Sequence, residues 1–174
     1  RCYDRRIVSN EIGNGRGPIL ALTGCVASHE GEGLMRRFPF LDITLGPDHI
    51  ASLPRLVREA REKNIRSSLT NFQDISDYEF PMPLLIPDGK EKKVKAFVTI
   101  MKGCDNACSF CIVPFVRGKE VSRPAEEIVE EIRSLEAQEI REVMLLGQNV
   151  NYYGKGLPGG LNFASLLRRI DEET

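Results

Sequence analysis

The chain has 174 residues, of which 41% are hydrophobic and 28% are charged, and its formal net charge is −1. This composition is that of a globular protein with one domain or two small ones. It excludes a generally basic surface, so a polyanionic partner would have to meet local basic patches. No apolar run approaches the roughly 18–20 residues that span a membrane. No secretory signal is visible, and since Arg1 is not a natural initiator, we expect the chain to be a fragment.

The first half of the chain predicts alternating strands and helices. The apolar run over residues 18–24 predicts a buried strand with Cys25 at its carboxyl end. A helix over residues 30–37, a strand over residues 42–45 and a helix over residues 49–63 follow. The first half is therefore expected to be a small α/β unit.

Residues 66–95 predict a linker. Pro81, Pro83 and Pro87 remove the options of a helix or a central strand, because proline lacks the N–H group that both structures need. We place a domain boundary in this segment, over residues 71–93.

The second half predicts strand, helix, strand and helix in that order. The strands fall over residues 94–100 and 142–147, and the last helix over residues 162–171. Ser122 is expected to cap the first helix, which carries one apolar stripe. The second strand holds the uninterrupted run Val143-Met144-Leu145-Leu146, which predicts burial on both faces, as in parallel sheets.

The connection between the first of these strands and its helix spans more than 20 residues, and connections of that length are usually functional or disordered. It carries Cys104, Cys108 and Cys111 and follows the carboxyl end of a strand. Open sheets and barrels place their chemistry at that edge. Gln148 and Asn149, directly after the next strand, are predicted at the same edge.

The spacing C-x3-C-x2-C of these three cysteines suits an iron–sulfur cluster with four irons, one of which the protein leaves open to a small molecule. A zinc site and unrelated thiols are the alternatives. Zinc usually takes four ligands, and the only histidines, His29 and His49, lie far upstream. Five cysteines, an odd and small number, argue against a disulfide framework.

Several strings carry a resemblance to a known family. They are Gly103 to Cys111, Ile112 to Pro124, Leu145 to Gly154, and in the first half Thr23 to Ser28 and Leu45 to Pro47. With these strings, residues 18–174 resemble the radical S-adenosylmethionine (SAM) methylthiotransferases. The MiaB-type branch, which modifies tRNA, is the most similar. The string Gly-Gln-Asn-Val-Asn resembles that of the tRNA enzymes that modify isopentenylated adenosine.

The resemblance implies a transferase that adds a methylthio group to carbon 2 of isopentenylated adenosine next to the anticodon. The cysteines Cys104, Cys108 and Cys111 would hold a 4Fe–4S cluster whose open iron binds SAM, and an electron would cleave SAM to a deoxyadenosyl radical. A second cluster would supply or carry the sulfur, and a second SAM the methyl group. The implied partners are tRNA and an external electron donor, without a membrane. Cluster chemistry favours the cytoplasm.

The resemblance also implies roles for single residues around the cluster. Phe110, Gln148 and Asn149 would bind SAM, with simple packing of Phe110 and capping of a turn by the two amides as open alternatives. Three further candidates for contacts to SAM or tRNA are Arg117, Glu120 and Arg123. These three residues could equally belong to a solvated loop.

The fold implied is α/β. An amino-terminal methylthiotransferase domain over residues 1–70 is followed by the linker and by the first βαβα part of a radical SAM partial (β/α)6 barrel over residues 94–174. In the first domain, Cys25 matches a ligand of the second cluster, and Cys2 is a second candidate. The family uses three cysteines there, and no third is available in this chain.

Other functions stay open from the sequence. The substrate could instead be threonylcarbamoyl-adenosine or an aspartate of a ribosomal protein, which related branches modify. A function of another class is a non-catalytic, cysteine-rich module that binds a metal or transfers electrons.

Overall fold

The computed structural model describes residues 17–73, residue 80 and residues 94–174. The chain is a mixed α/β protein that separates into two compact units at Asp74 and Ile75. This division falls inside the predicted boundary segment, most of which lies outside the described residues, as does Cys2. The assignment of the domains therefore stays a prediction.

The first unit is built on three parallel strands. They are β1 (Ala21–Thr23), β2 (Ile43–Leu45) and β3 (Ser67–Leu69), with β2 in the middle. Ile43 pairs with Ala21 on one side and with Ser67 on the other. Because β2 is flanked by a strand on both edges, all three of its residues are fully buried, including the polar Thr44.

Helices cover the sheet of the first unit. They are α1 (Cys25–Glu30), α2 (Glu32–Arg37) and α3 (Leu53–Lys63), and a 3-10 turn over Pro47–Ser52 leads into α3. The core joins β2 to α3 through Ile43, Leu45, Leu56 and Ala60. Burial of one apolar face of α3 against the sheet explains the helical spacing in the sequence.

The predicted helix over residues 30–37 is confirmed as α2, which begins after Gly31, where φ is 55 and lies outside the helical region. Two predictions for the first unit were wrong. The strand predicted as buried over residues 18–24 forms β1, in which Ala21 and Thr23 are exposed. The predicted linker over residues 66–95 begins with β3. This strand is short and polar, and its Ser68 Oγ lies 2.8 Å from the hydroxyl of buried Thr44 on β2. A local apolar pattern could not reveal it.

In the second unit, β4 (Lys95–Thr99) pairs in parallel with β7 (Glu142–Leu146). The helix α5 (Ala125–Glu136) connects them, and α6 (Phe163–Glu173) follows β7, which confirms the predicted order of elements. The predicted apolar stripe of α5 is buried. Each of its residues is at most 6% exposed: Ala125, Ile128, Val129, Ile132 and Leu135.

Two predictions for the second unit were wrong as well. The strand β7 is not buried on both faces among the described residues, since Met144 and Leu146 are 52% and 38% exposed. Ser122 does not cap α5, because Pro124 precedes the helix and Ser122 lies in a short strand. The Ser122 hydroxyl accepts a hydrogen bond from the N–H of Gly154 at 3.0 Å instead.

The end of the second unit is well anchored. The side chain of Asn162 caps α6 by accepting a hydrogen bond from the N–H of Ser165 at 2.9 Å. Short 3-10 turns over Val150–Tyr152 and Pro158–Gly160 lie between β7 and α6. Among the helices of the described ranges, none has the length and apolar character that crossing a bilayer requires.

Candidate metal and cofactor site

The segments that follow β4 and β7 lie in contact at one edge of the sheet. The N–H of Ile100 donates to the carbonyl oxygen of Leu146 at 2.9 Å. A Cβ added to Gly147 would lie 2.4 Å from Cγ of Met101, so these two segments of the chain approach as closely as a glycine allows. The cysteine connection and the Gln148–Asn149 segment thus leave from the same edge, which is the predicted arrangement.

A small ribbon closes the base of the cysteine connection. The strand β5 (Met101–Lys102) pairs antiparallel with β6 (Val121–Ser122). Residues 103–120 therefore form a loop whose two ends are held together. Just above the ribbon, the N–H of Cys104 donates to the carbonyl oxygen of Gly118 at 3.2 Å.

Within the loop, a turn and a short helix place the other two cysteines. The N–H of Cys111 donates to the carbonyl oxygen of Cys108 at 3.2 Å, which closes a tight turn between them. The helix α4 (Val113–Arg117) follows at once and is anchored by Val116, which is 2% exposed. Local hydrogen bonds and one apolar anchor thus fix the loop without occupying the thiols.

All three cysteines of the loop line one open cavity of about 640 Å³. In the described ranges, no three side chains of Cys, His, Asp or Glu lie close enough together to hold one metal ion. A four-iron cluster is wider than an ion and takes cysteine thiolates as ligands. Three thiols around a cavity of ligand-binding size fit such a group in donor chemistry and in room.

An acidic residue ties the loop to the segment beyond β7. The Asp105 carboxylate accepts hydrogen bonds at 3.0 Å from the N–H of Glu120 and from Nζ of Lys155. The Glu120 N–H and then Lys155 lower the pKa of Asp105, and Asp105 in turn raises the pKa of Lys155. Asp105 therefore connects the start of the loop to its end through a hydrogen bond, and to the segment beyond β7 through an ion pair.

None of the three residues predicted to bind SAM belongs to the lining of this cavity, and they differ in exposure. Phe110 projects from the loop with 94% of its side chain exposed and does not line the cavity; the aromatic ring in the lining is that of Phe115. The side chains of Gln148 and Asn149 have no hydrogen-bond partner among the residues that the structure describes. Asn149 makes no side-chain capping bond to the turn that follows it. Binding of SAM by these residues stays a prediction.

Of the three predicted substrate contacts, Arg123 is placed in the interior. Its guanidinium is 3% exposed and forms ion pairs with Glu131 and, at 3.2 Å, with Glu127. This placement gives Arg123 a role in the fold and offers no support for a contact with SAM or tRNA. Arg117 and Glu120 are partly exposed on the loop, and burial raises the pKa of Glu120. Their roles stay predictions.

In the first unit, Cys25 lies at the carboxyl edge of the sheet. The N–H of Gly24 donates to the carbonyl oxygen of Leu45 at 2.9 Å, and the N–H of Gly46 donates to that of Leu69 at 2.7 Å. The ends of the three strands therefore meet at this edge. Cys25 opens α1 at this edge and is partly exposed. Within the described part of the unit it is the only cysteine, so the second cluster stays a prediction.

Comparisons with known proteins place this loop in a family. Residues 98–173 match the sequence model of the Radical SAM superfamily. This part of the chain belongs to the Radical SAM superfamily. This family uses SAM and an iron–sulfur cluster, so membership implies both cofactors for the radical SAM domain of this chain.

Curated relatives with the printed name tRNA-2-methylthio-N(6)-dimethylallyladenosine synthase cover most of the chain. The protein from Anaeromyxobacter sp. (strain K) is 46% identical over 160 residues, which is 92% of this chain and 33% of the relative. That from Geobacter metallireducens is 48% identical over 152 residues, 87% of this chain and 34% of the relative. The chain thus spans about a third of the length of the curated relatives it matches.

Several residues that shape the site were not predicted. Asp105 and Lys155 are separated by 50 positions, so no local pattern pairs them. The ring of Phe115 and the buried Tyr153 were likewise not singled out. Gly103, directly before the first cysteine, lies in a string that carries the family resemblance, but the sequence alone does not show that its position requires glycine.

Replacing Gly103 with alanine is expected to disrupt the loop of the radical SAM domain. Gly103 has φ 73, and an added Cβ would lie 1.9 Å from the carbonyl oxygen of Lys119. The positive φ alone costs about 1–3 kcal/mol, and the backbone collision adds to that. Hydrogen exchange at the amide of Cys104 measures the opening of the loop.

The matched control for this change is Gly156→Ala. Gly156 also has a positive φ, of 84°, but an added Cβ there would meet nothing within 4 Å. We expect the control to show only the cost of the backbone conformation. Equal effects of the two substitutions on the Cys104 amide would contradict the proposed backbone contact.

Replacing Tyr153 with phenylalanine is expected to weaken the domain. The buried hydroxyl donates to the carbonyl oxygen of Arg123 at 2.7 Å, and loss of such a bond costs about 1–2 kcal/mol. Burial first, and then the charge of Glu126, raises the pKa of Tyr153 to about 12. Its contribution is therefore complete below the ordinary tyrosine pKa and is lost as the pH rises toward the raised value.

Urea unfolding at a series of alkaline pH values measures this effect. The unchanged protein is expected to lose stability between about pH 10 and 12, because the unfolded chain releases the Tyr153 proton first. The Phe variant should show a smaller decline over that range. An identical decline in both proteins would contradict the role given to Tyr153.

Proposed function

We propose that this chain is part of a tRNA methylthiotransferase that adds a methylthio group to carbon 2 of isopentenylated adenosine next to the anticodon. The observation that carries the proposal is the C-x3-C-x2-C loop, whose three cysteines line one cavity at the carboxyl end of β4. The substrate is inferred from the similarity to relatives whose printed name contains that modified nucleoside.

In this proposal the ligands of a 4Fe–4S cluster are Cys104, Cys108 and Cys111. When bound, the cluster and SAM supply radical chemistry, and the protein supplies placement and exclusion of water. The loop supports that role because a ribbon and the Asp105 crosslink fix both its ends. Among the described residues none of the three cysteines forms a disulfide, and Cys108 is exposed.

Binding of SAM is proposed for Phe110, Gln148 and Asn149. Gln148 and Asn149 follow β7 at the edge from which the cysteine loop leaves, and their amide groups are not engaged elsewhere in the described part of the chain. Such amides can donate to a carboxylate and accept from an ammonium group, and SAM carries both. Phe110 offers an exposed ring next to Cys111.

The domain arrangement is proposed as well. The second unit would be the first βαβα part of a partial (β/α)6 barrel, and the exposed apolar side chains Met144 and Leu146 support a second face that requires covering. The first unit would carry an auxiliary cluster with Cys25 as one ligand and Cys2 as another. Iron–sulfur chemistry requires a reducing compartment, which favours the cytoplasm, and an external electron donor.

The test is methylthiolation by the complete protein. After anaerobic reconstitution with iron and sulfide and reduction, the protein is incubated with SAM and with tRNA that carries isopentenylated adenosine. Mass spectrometry of nucleosides should show the methylthio derivative of that adenosine. Unmodified tRNA from a protein that cleaves SAM, or modification of threonylcarbamoyl-adenosine or of a ribosomal protein instead, would refute the substrate.

The same preparation separates the enzyme from a non-catalytic module. The enzyme requires iron and sulfide at the cysteine loop and cleavage of SAM after reduction. One tightly held zinc and no cleavage of SAM would identify a metal-binding module, and a cluster without cleavage would identify an electron carrier.

A further inference from the structure

One aromatic ring lines the cysteine cavity without serving the fold. Phe115 on α4 is 73% exposed, and the helix is anchored to the core by the neighbouring Val116 instead. Among the aromatic residues that the structure describes, Phe115 is the one in the cavity lining. A ring that large, held in solvent beside three thiols, is placed to contact whatever enters the cavity.

Positive charge lies beside this ring. Lys119 is exposed and lines the same cavity, and Arg117 lies between the two residues in sequence. In the described ranges neither Arg117 nor Lys119 takes part in an ion pair. The nearest acidic side chain of the lining, Asp105, is already paired with Lys155 at 3.0 Å. The rim next to Phe115 therefore has cationic groups available for an anionic partner.

An aromatic face next to a cation is the combination that binds an unpaired nucleotide. Every base has a π-face that stacks on an aromatic ring, and the neighbouring phosphate is attracted by lysine or arginine. A small anion would need only the cation, and an apolar ligand would need only the ring. The pairing of the two on one cavity distinguishes a nucleotide from both.

We propose that Phe115 and Lys119 form a platform for one unpaired nucleotide of the RNA substrate. The ring of Phe115 stacks on the base, and the ammonium group of Lys119 contacts an adjacent phosphate. Because both residues line the cavity of the three cysteines, the platform holds the substrate loop at the reacting centre. This inference rests on the proposed function and names residues that bind its substrate.

Binding of an anticodon stem-loop RNA with isopentenylated adenosine tests the platform. The complete, reconstituted protein is compared with Phe115→Ala, Phe115→Tyr and Lys119→Ala. A stacked base is worth about 1–3 kcal/mol, so Phe115→Ala should raise Kd roughly 5–150-fold. Phe115→Tyr keeps the ring and should bind nearly as well as the unchanged protein. Lys119→Ala should lower the slope of log Kd against log salt by about 0.7.

The matched control is Phe72→Ala. Phe72 is an exposed ring in the first unit, whereas the three cysteines of the loop belong to the second. This variant should leave Kd for the RNA unchanged. Iron content and SAM affinity, measured on the same samples, should be unaffected by Phe115→Ala.

Two results would overturn the platform: RNA binding that Phe115→Ala leaves unchanged, or a loss of iron or SAM affinity in that variant, since the ring would then serve the cofactor. Failure of the proposed function is a different observation, namely that the unchanged protein leaves the adenosine without a methylthio group. The Kd measurement does not depend on turnover, so the two failures are separable.

Discussion

Replacing Cys108 with alanine is expected to abolish cleavage of SAM while the domain stays folded. Cys108 is exposed on the loop and belongs to neither hydrophobic core of the described residues. Its removal takes away one of the three proposed cluster ligands, whereas exposed substitutions of this kind usually change stability by about 0.5 kcal/mol or less. Anaerobic assay of deoxyadenosine, with circular dichroism on the same sample, measures both effects.

The matched control for Cys108 is Cys25→Ala. Both variants lose one partly or fully exposed thiol, but Cys25 lies in the other unit. If Cys25 holds only the auxiliary cluster, its loss should leave SAM cleavage intact and stop methylthiolation. Cleavage that persists in Cys108→Ala would reject the cluster assignment.

Replacing Glu131 with alanine is expected to destabilise the radical SAM domain by about 3–5 kcal/mol. Glu131 and Arg123 form an ion pair in which both side chains are at most 3% exposed. Removal of the carboxylate leaves a guanidinium in the interior without its buried counter-charge. Urea unfolding, monitored by circular dichroism, measures the free energy of unfolding.

Glu127→Ala is the matched control, because Glu127 pairs with the same guanidinium at 3.2 Å from an exposed position. With 54% of its side chain exposed, it should cost about 1 kcal/mol or less. Equal losses in the free energy of unfolding of the two variants would contradict the prediction that the buried Arg123–Glu131 pair contributes more than the exposed one.

The parts of the fold that sequence predicts are those with local patterns. The stripe of α5 and the order of strands and helices in the second unit follow from apolar spacing, which burial against β4 and β7 enforces. The interruption at Gly31 and the polar strand β3 have no such pattern. The exposure of Met144 and Leu146 depends on what packs against β7, which a run of apolar letters does not specify.

The candidate site shows the same division. The cysteines are read from their spacing, and Gln148 and Asn149 from their place after a strand. The contact of Arg123 with SAM or tRNA stays a prediction, and no local pattern reveals its ion pair with Glu131, eight positions further along the chain. The Asp105–Lys155 crosslink and the lining position of Phe115 arise from contacts between distant segments, and only the structure displays them.

Metal analysis of the anaerobically reconstituted protein tests the central claim most directly. Joint replacement of Cys104, Cys108 and Cys111 by alanine should remove about four iron and four sulfide ions per chain. Addition of SAM to the unchanged, reduced protein should alter the electron paramagnetic resonance spectrum, because one iron is open to it. Three results would contradict the account. They are an unchanged iron and sulfide content in the triple variant, loss of a single zinc ion instead, or a spectrum that does not change when SAM is added.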